Sequence, residues 1–98
     1  MEKRTPHCRL ADIKALVEAG NVRATRSARL GATGLGLGFS DMLAVVMELT
    51  VTDFYKSMTT YADHTVWQDV YRPSTQVGDV YLKLTVIDDV LIVSFKEL

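Results

Sequence analysis

From Leu10 onward the apolar positions fall at Leu10, Ile13, Leu16 and Val17, the spacing of one helical face. Gly20 follows, where a residue with positive φ commonly ends a helix. A second short helix is predicted over Thr25–Leu30, with Arg23, Arg26 and Arg29 recurring every third residue along one face. The glycine-rich run from Gly31 to Gly38 stops it. A third helix is predicted after Ser40, a good N-cap, with Asp41 in the first turn where the dipole favours an acid. It continues through Met42, Leu43, Val45, Val46, Met47 and Leu49, apolar nearly all round, which predicts the most buried helix.

After residue 52 the period changes. Asp53–Tyr61, Val66–Tyr71, Val80–Ile87 and Val90–Lys96 are rich in Val, Thr, Tyr, Phe and Ile and read as strands. Pro73 to Asp79 reads as a turn, and Asp88-Asp89 as a tight hairpin. Helices followed by strands predict an α+β fold: three N-terminal helices packed on one face of a C-terminal antiparallel sheet, with residues 1–98 as a single domain.

The last hairpin can be paired on paper. With Asp88 and Asp89 as its turn, Ile87 faces Val90, Leu84 faces Val93, Lys83 faces Ser94, Leu82 faces Phe95 and Tyr81 faces Lys96. One side then carries Val80, Leu82, Leu84, Val86, Leu91, Val93 and Phe95 toward the helices. The other carries Tyr81, Lys83 and Lys96 with Thr85 and Ser94. The first hairpin stays open. A three-residue loop, Ala62-Asp63-His64, puts Lys56 and Gln68 on one side, and a four-residue loop does not.

Composition narrows the class. The chain has 98 residues, 48% hydrophobic and 23% charged, with a net charge of −1, which excludes a disordered chain and describes a globular one. No apolar run approaches the roughly 20 residues of a membrane span, and the N-terminus lacks the apolar stretch of a secretory signal, so the expected compartment is the cytoplasm. The single Cys8 excludes a disulfide framework and a multi-cysteine zinc site. Charge is uneven: residues 1–30 carry seven basic residues against three acids, and residues 31–98 carry four against nine.

Few motifs carry chemistry. Gly34-Leu35-Gly36-Leu37-Gly38 has no preceding strand and no Lys-Ser/Thr after it, so it reads as a connection rather than a phosphate loop. His7, His64 and Cys8 have no metal-ligand spacing, and no metal is expected. Cys8 beside Arg9 reads as a packed small residue before it reads as a nucleophile. The basic face of Tyr81, Lys83 and Lys96, with Lys56, Gln68 and Arg72 nearby, has two readings. One is a solvated sheet surface; the other is a phosphate-binding surface with Tyr55, Tyr61, Tyr71 and Trp67 available for stacking.

The residues from Asp53-Phe54-Tyr55-Lys56-Ser57-Met58-Thr59-Thr60-Tyr61, through Trp67-Gln68-Asp69-Val70-Tyr71-Arg72-Pro73, to Val80-Tyr81-Leu82-Lys83 and Val90 to Lys96 resemble the MqsR toxins. Thr5-Pro6-His7 and Thr25-Arg26-Ser27-Ala28 extend the likeness. The resemblance implies a RelE-like fold and a ribosome-independent endoribonuclease that cuts single-stranded messenger RNA at short GC-containing sites. It implies no cofactor, and as partner an MqsA-type antitoxin with a zinc-binding N-terminal domain and a helix-turn-helix DNA-binding domain. Neither membrane attachment nor DNA binding by the toxin alone is implied.

The resemblance carries over Lys56, Gln68 and Tyr81 as site residues, with Met58, Arg72 and Lys96 nearby; Lys56, Gln68, Tyr81 and Lys96 are taken as catalytic, and Tyr55, Met58, Arg72, Lys83 and His7 as candidate RNA contacts. The chain departs from the family pattern at Asp88, where a histidine is expected, and at Pro73-Ser74-Thr75-Gln76, where a basic residue is expected after the proline. The expected chemistry is metal-free attack of a 2′-hydroxyl on the adjacent phosphate, resting on charge collection and positioning more than on a well-matched base. The rival class is a non-catalytic binding module on the same fold, like the ParE-type gyrase inhibitors.

Overall fold

The computed structural model describes residues 1–98. In chain order the elements are β1 (Glu2–Lys3), α1 (Leu10–Glu18), β2 (Val22–Ala24), α2 (Arg26–Gly34), α3 (Phe39–Glu48), a 3-10 turn (Val51–Asp53), β3 (Phe54–Thr59), β4 (Trp67–Tyr71), β5 (Ser74–Thr75), β6 (Gly78–Ile87) and β7 (Asp89–Glu97). The sheet runs β1-β3-β4-β6-β7-β2, and β5 pairs with β6 to one side of that path. All three helices pack on one face. Ile13 and Val17 of α1, Ala28 and Ala32 of α2, and Met42 and Val46 of α3 meet Tyr71, Val80, Leu82, Leu84, Val90, Ile92 and Phe95 in one core.

The α+β class and the order of the four long strands agree with the period change. The expectation that the sheet is wholly C-terminal does not hold. β1 closes one edge by pairing antiparallel with β3, and β2 closes the other by running parallel to β7. Pieces of two and three residues are too short to show a period, so pairing with a long neighbour creates them. β5 arises in the same way inside the segment read as a turn, where Ser74 and Thr75 pair back onto Asp79 and Gly78.

The helices begin where local chemistry places them. Thr25 caps α2 by accepting a hydrogen bond from the Ala28 amide at 3.1 Å. Arg23 therefore lies in β2 rather than on a helix, and its guanidinium bonds both Asp89 oxygens at 2.6 and 3.2 Å. The predicted three-arginine face does not form. α3 starts two residues earlier than Ser40 suggests, with Gly38 as its cap, because the Asp41 carboxylate accepts from the Gly38 amide at 2.8 Å. It buries Met42 and Val46 but leaves Leu43, Val45 and Met47 half-covered, since a single helical layer encloses only one side of it.

The last hairpin pairs as expected at Tyr81–Lys96, Leu82–Phe95 and Lys83–Ser94. Nearer the turn it shifts by one: Leu84 pairs with Ile92, Val86 with Val90 and Ile87 with Asp89. Val93 is the extra residue of a β-bulge, and Asp88 alone makes the tip, at φ 66°, a left-handed conformation an aspartate tolerates. The core side of β7 is thus Val90, Ile92 and Phe95, not Leu91, Val93 and Phe95.

Tyr71 is buried with its hydroxyl unpartnered. Burial, with a smaller push from the Asp69 carboxylate, raises its pKa to about 12. The unfolded phenol ionises near 10 and the folded one near 12, so this contribution is intact below pH 10 and is lost as pH climbs toward 12. Tyr71→Phe should match the parent or exceed it by about 1 kcal/mol, since an orphaned hydroxyl is removed. Urea unfolding between pH 9 and 12 should show a shallower alkaline decline for the variant, and an equal decline would show that Tyr71 does not drive it.

Candidate functional site

β3, β4, β6 and β7 each have one side on the core and one side free of helices. Which residues reach the free side follows from register. In the first hairpin Met58 pairs with Gln68 and Lys56 with Val70, the register of the three-residue loop. Lys56, Met58 and Gln68 therefore share a face. Val70 pairs on with Lys83, and Lys83 with Ser94, so Lys56 and Lys83 flank Val70 across three strands. Val70 is fully buried yet stands apart from the helical core, as expected of a residue covered by lysine stems on the opposite side.

Tyr81 and Lys96 form the next cross-strand pair, with the Lys96 ammonium 5.2 Å from the Tyr81 ring centroid. Arg72 follows Tyr71, whose partner is Leu82, and so comes level with Tyr81. A second bulge sits in β3. Phe54 pairs with Tyr71 and Lys56 with Val70, leaving Tyr55 as the extra residue. Phe54 turns inward to meet Tyr71 edge-on at 5.5 Å. Tyr55 turns outward, and three cations surround its ring: Arg72 at 4.6 Å, Lys56 at 5.4 Å and Arg4 at 5.5 Å.

Lys83 is the crowded member of the lysine group. Burial first, then the Lys96 and Lys56 charges, lower its pKa. Lys56 is raised, first by its hydrogen bond to Glu2 and with smaller help from Tyr55 and Tyr81. An ammonium pushed down by its neighbours gains when an anion arrives, so this face is built to take negative charge.

One face thus unites Lys56, Met58, Gln68, Tyr81, Lys83 and Lys96, with Tyr55 and Arg72 at its side. His7 is not among them. It lies on the helical side, its ring stacked on Trp67 at 5.6 Å and its Nδ1 3.2 Å from Lys3 Nζ. Asp88 is at the exposed hairpin tip. No three His, Cys, Asp or Glu side chains converge as a metal site would require.

Sequence reasoning missed Glu2, Arg4 and Asp69. The first two come to the face through β1, which no periodicity announces. Asp69 points to the helical side and is 2% exposed. Its carboxylate accepts from the His7 and Cys8 amides, each at 3.0 Å, and from the Ser57 hydroxyl. A lone acid in a strand read as alternating was the available signal.

Residues 5–97 match the family described as motility quorum-sensing regulator, toxin of MqsA. The mRNA interferase toxin MqsR of Escherichia coli (strain K12) is 67% identical over 97 residues, covering 99% of this chain and 99% of that protein.

The Asp69 contact yields a prediction. Asp69→Ala strands the two amides and the hydroxyl, a loss of about 3 kcal/mol in unfolding free energy. Asp69→Asn keeps one acceptor oxygen and should lose less. Hydrogen exchange at the His7 and Cys8 amides should accelerate in both, and unchanged protection would mean that the carboxylate does not hold this segment.

Proposed function

Since the chain belongs to the motility quorum-sensing regulator toxin family, we propose that it is the toxin of a toxin–antitoxin pair and an endoribonuclease that cuts messenger RNA on the face of Lys56, Gln68, Tyr81 and Lys96. The observation that carries the site assignment is the convergence of three lysines and a phenol on one open sheet face. Single-stranded RNA offers such a surface a phosphate chain and unstacked bases.

The reaction is an internal transfer. The substrate's 2′-oxygen attacks the adjacent phosphorus, the P–O5′ bond breaks, and a cyclic phosphate and a 5′-hydroxyl result. The pentacoordinate intermediate gathers negative charge on its non-bridging oxygens. Lys56 and Lys96 stabilise that charge, and Lys83 adds to the field that binds the phosphate. Tyr81 donates its hydroxyl hydrogen to the phosphate or to the leaving oxygen. Gln68 carries no transferable proton at neutral pH and orients the phosphate by hydrogen bonding. Tyr55 offers a stacking surface for a base, Met58 an apolar contact, and Arg72 a second cation beside Tyr55. His7, stacked on Trp67 across the sheet, takes no part in this reading.

The charge is collected by ammonium groups, so the reaction is read as metal-independent; independence of the ribosome and cleavage at short GC-containing sites are what the family resemblance implies, and the cytoplasm is the compartment expected from the sequence. The family implies an antitoxin partner. An MqsA-type protein with a zinc-binding N-terminal domain and a helix-turn-helix domain fits that place.

The test uses purified chain and a GC-containing RNA in excess EDTA. Cleavage should persist, leaving cyclic phosphate ends; loss of cleavage in chelator would overturn the metal-free reading. Tyr81→Phe should lower kcat by about 100-fold or more, as for loss of one donor to a developing oxyanion. Lys96→Ala should weaken RNA binding and flatten the dependence of log Kd on log salt by about 0.7. Parental cleavage by both variants would move the active site elsewhere.

A further inference from the structure

The cationic face holds one ion pair. Glu2 Oε1 lies 2.6 Å from Lys56 Nζ, and the only other salt bridge, Arg23–Asp89, is at the hairpin tip. Glu2 pairs with Met58 across β1 and β3, which puts its side chain on the face of Lys56, Met58 and Gln68. Its side chain is 53% exposed and that of Lys56 is 19% exposed. The carboxylate is thus the more solvent-open member of the pair.

Cleavage by a 2′-hydroxyl needs a group to take its proton. On this face Lys56, Lys83, Lys96, Arg4 and Arg72 are cations with no free lone pair, and Gln68 is an amide. His7 is on the opposite side of the sheet. Asp53 and Asp79, beyond Arg72, are held by the Thr50 amide and the Ser74 hydroxyl, each at 2.8 Å. Glu2 is the carboxylate in direct contact with a lysine assigned to the phosphate.

Building on the ribonuclease reading, we propose that Glu2 is the general base of the reaction, taking the 2′-hydroxyl proton while Lys56 bridges it to the scissile phosphate. The O2′–H bond passes its proton to the carboxylate as the O2′–P bond forms. The P–O5′ bond breaks, and O5′ takes the Tyr81 hydroxyl proton. Proton exchange with water then returns Glu2 to carboxylate and Tyr81 to phenol. Nothing is oxidised or reduced.

The surroundings suit the task. The charges facing Glu2 are Lys56 on β3, and Arg4 and the Met1 ammonium on its own segment. The Lys56 hydrogen bond chiefly, then these charges, hold its carboxyl below its ordinary value, so it enters the reaction ionised. A phosphate on Lys56 shares that ammonium and adds negative charge, which makes the carboxylate more basic when it is needed.

The experiment measures single-turnover cleavage and, separately, binding of an RNA with 2′-deoxyribose at the cleavage position. Glu2→Gln should bind the deoxy RNA within about threefold of the parent while its cleavage rate falls about 100-fold, the lower end for general-base removal. Glu2→Ala should regain part of its rate in added formate, which a purely structural loss would not. A Glu2→Gln chain that cuts at the parental rate or faster, or a Glu2→Ala chain that formate does not rescue, overturns the base assignment and leaves the ribonuclease reading standing. A parent chain that cuts no RNA removes that reading, and the inference falls with it.

Discussion

A carboxylate buried beneath the sheet governs how the N-terminal segment lies. Asp69 is taken out of water at the centre of β4, and a charge so placed must be met by donors. They come from Ser57 on β3 and from the His7 and Cys8 amides, more than 60 positions earlier in the chain. Clamped there, the segment before His7 can only run back along β3, where Glu2 pairs with Met58 and Lys3 with Ser57. The alternation of a strand does the rest. Glu2 and Arg4 turn to the open face, against Lys56 and Tyr55, and Lys3 turns under the sheet to lie over Trp67 at 4.1 Å. One hydrogen-bonded acid on the hidden side thus sets the chemistry of the exposed side.

Two bulges complete the arrangement. In β3 the extra residue lets Phe54 enter the core while Tyr55, its neighbour, stands among three cations. In β7 it lets Ile92 and Phe95 both face the helices, and the carbonyl groups it displaces are not wasted. Thr25 donates its amide to Ile92 and its hydroxyl to Val93, at 3.0 and 2.8 Å, while the same hydroxyl caps α2. The irregularity that orients β7 is also the socket in which a helix begins.

Long, strongly periodic stretches were legible in the chain. Leu10–Val17 and the long strand β6 carry their burial pattern in their own residues, the four main strands were legible as strands, and the pairing of Tyr81 with Lys96 followed from counting. What escaped depends on partners far away. β1 and β2 have no period, and a bulge at Val93 leaves no local mark in a run of apolar residues that reads well in either register. For the same reason the lysines and Tyr81 were visible in the sequence as a face, whereas Glu2 was not. Its place beside Lys56 exists only once Asp69 has fixed the segment.

The sheet is closed at both edges by strands from the first quarter of the chain, and its inner strands are made from the last half. A ribosome therefore delivers the two edges and all three helices before the surface they need. Core positions of α1, α2 and α3 face partners in β6 and β7, so the early segments wait, unfinished, until β7 emerges. Lys96 arrives on that same strand. Completing the core and completing the cationic face are a single event, because the strand that gives the helices Val90, Ile92 and Phe95 also sets Lys96 opposite Tyr81.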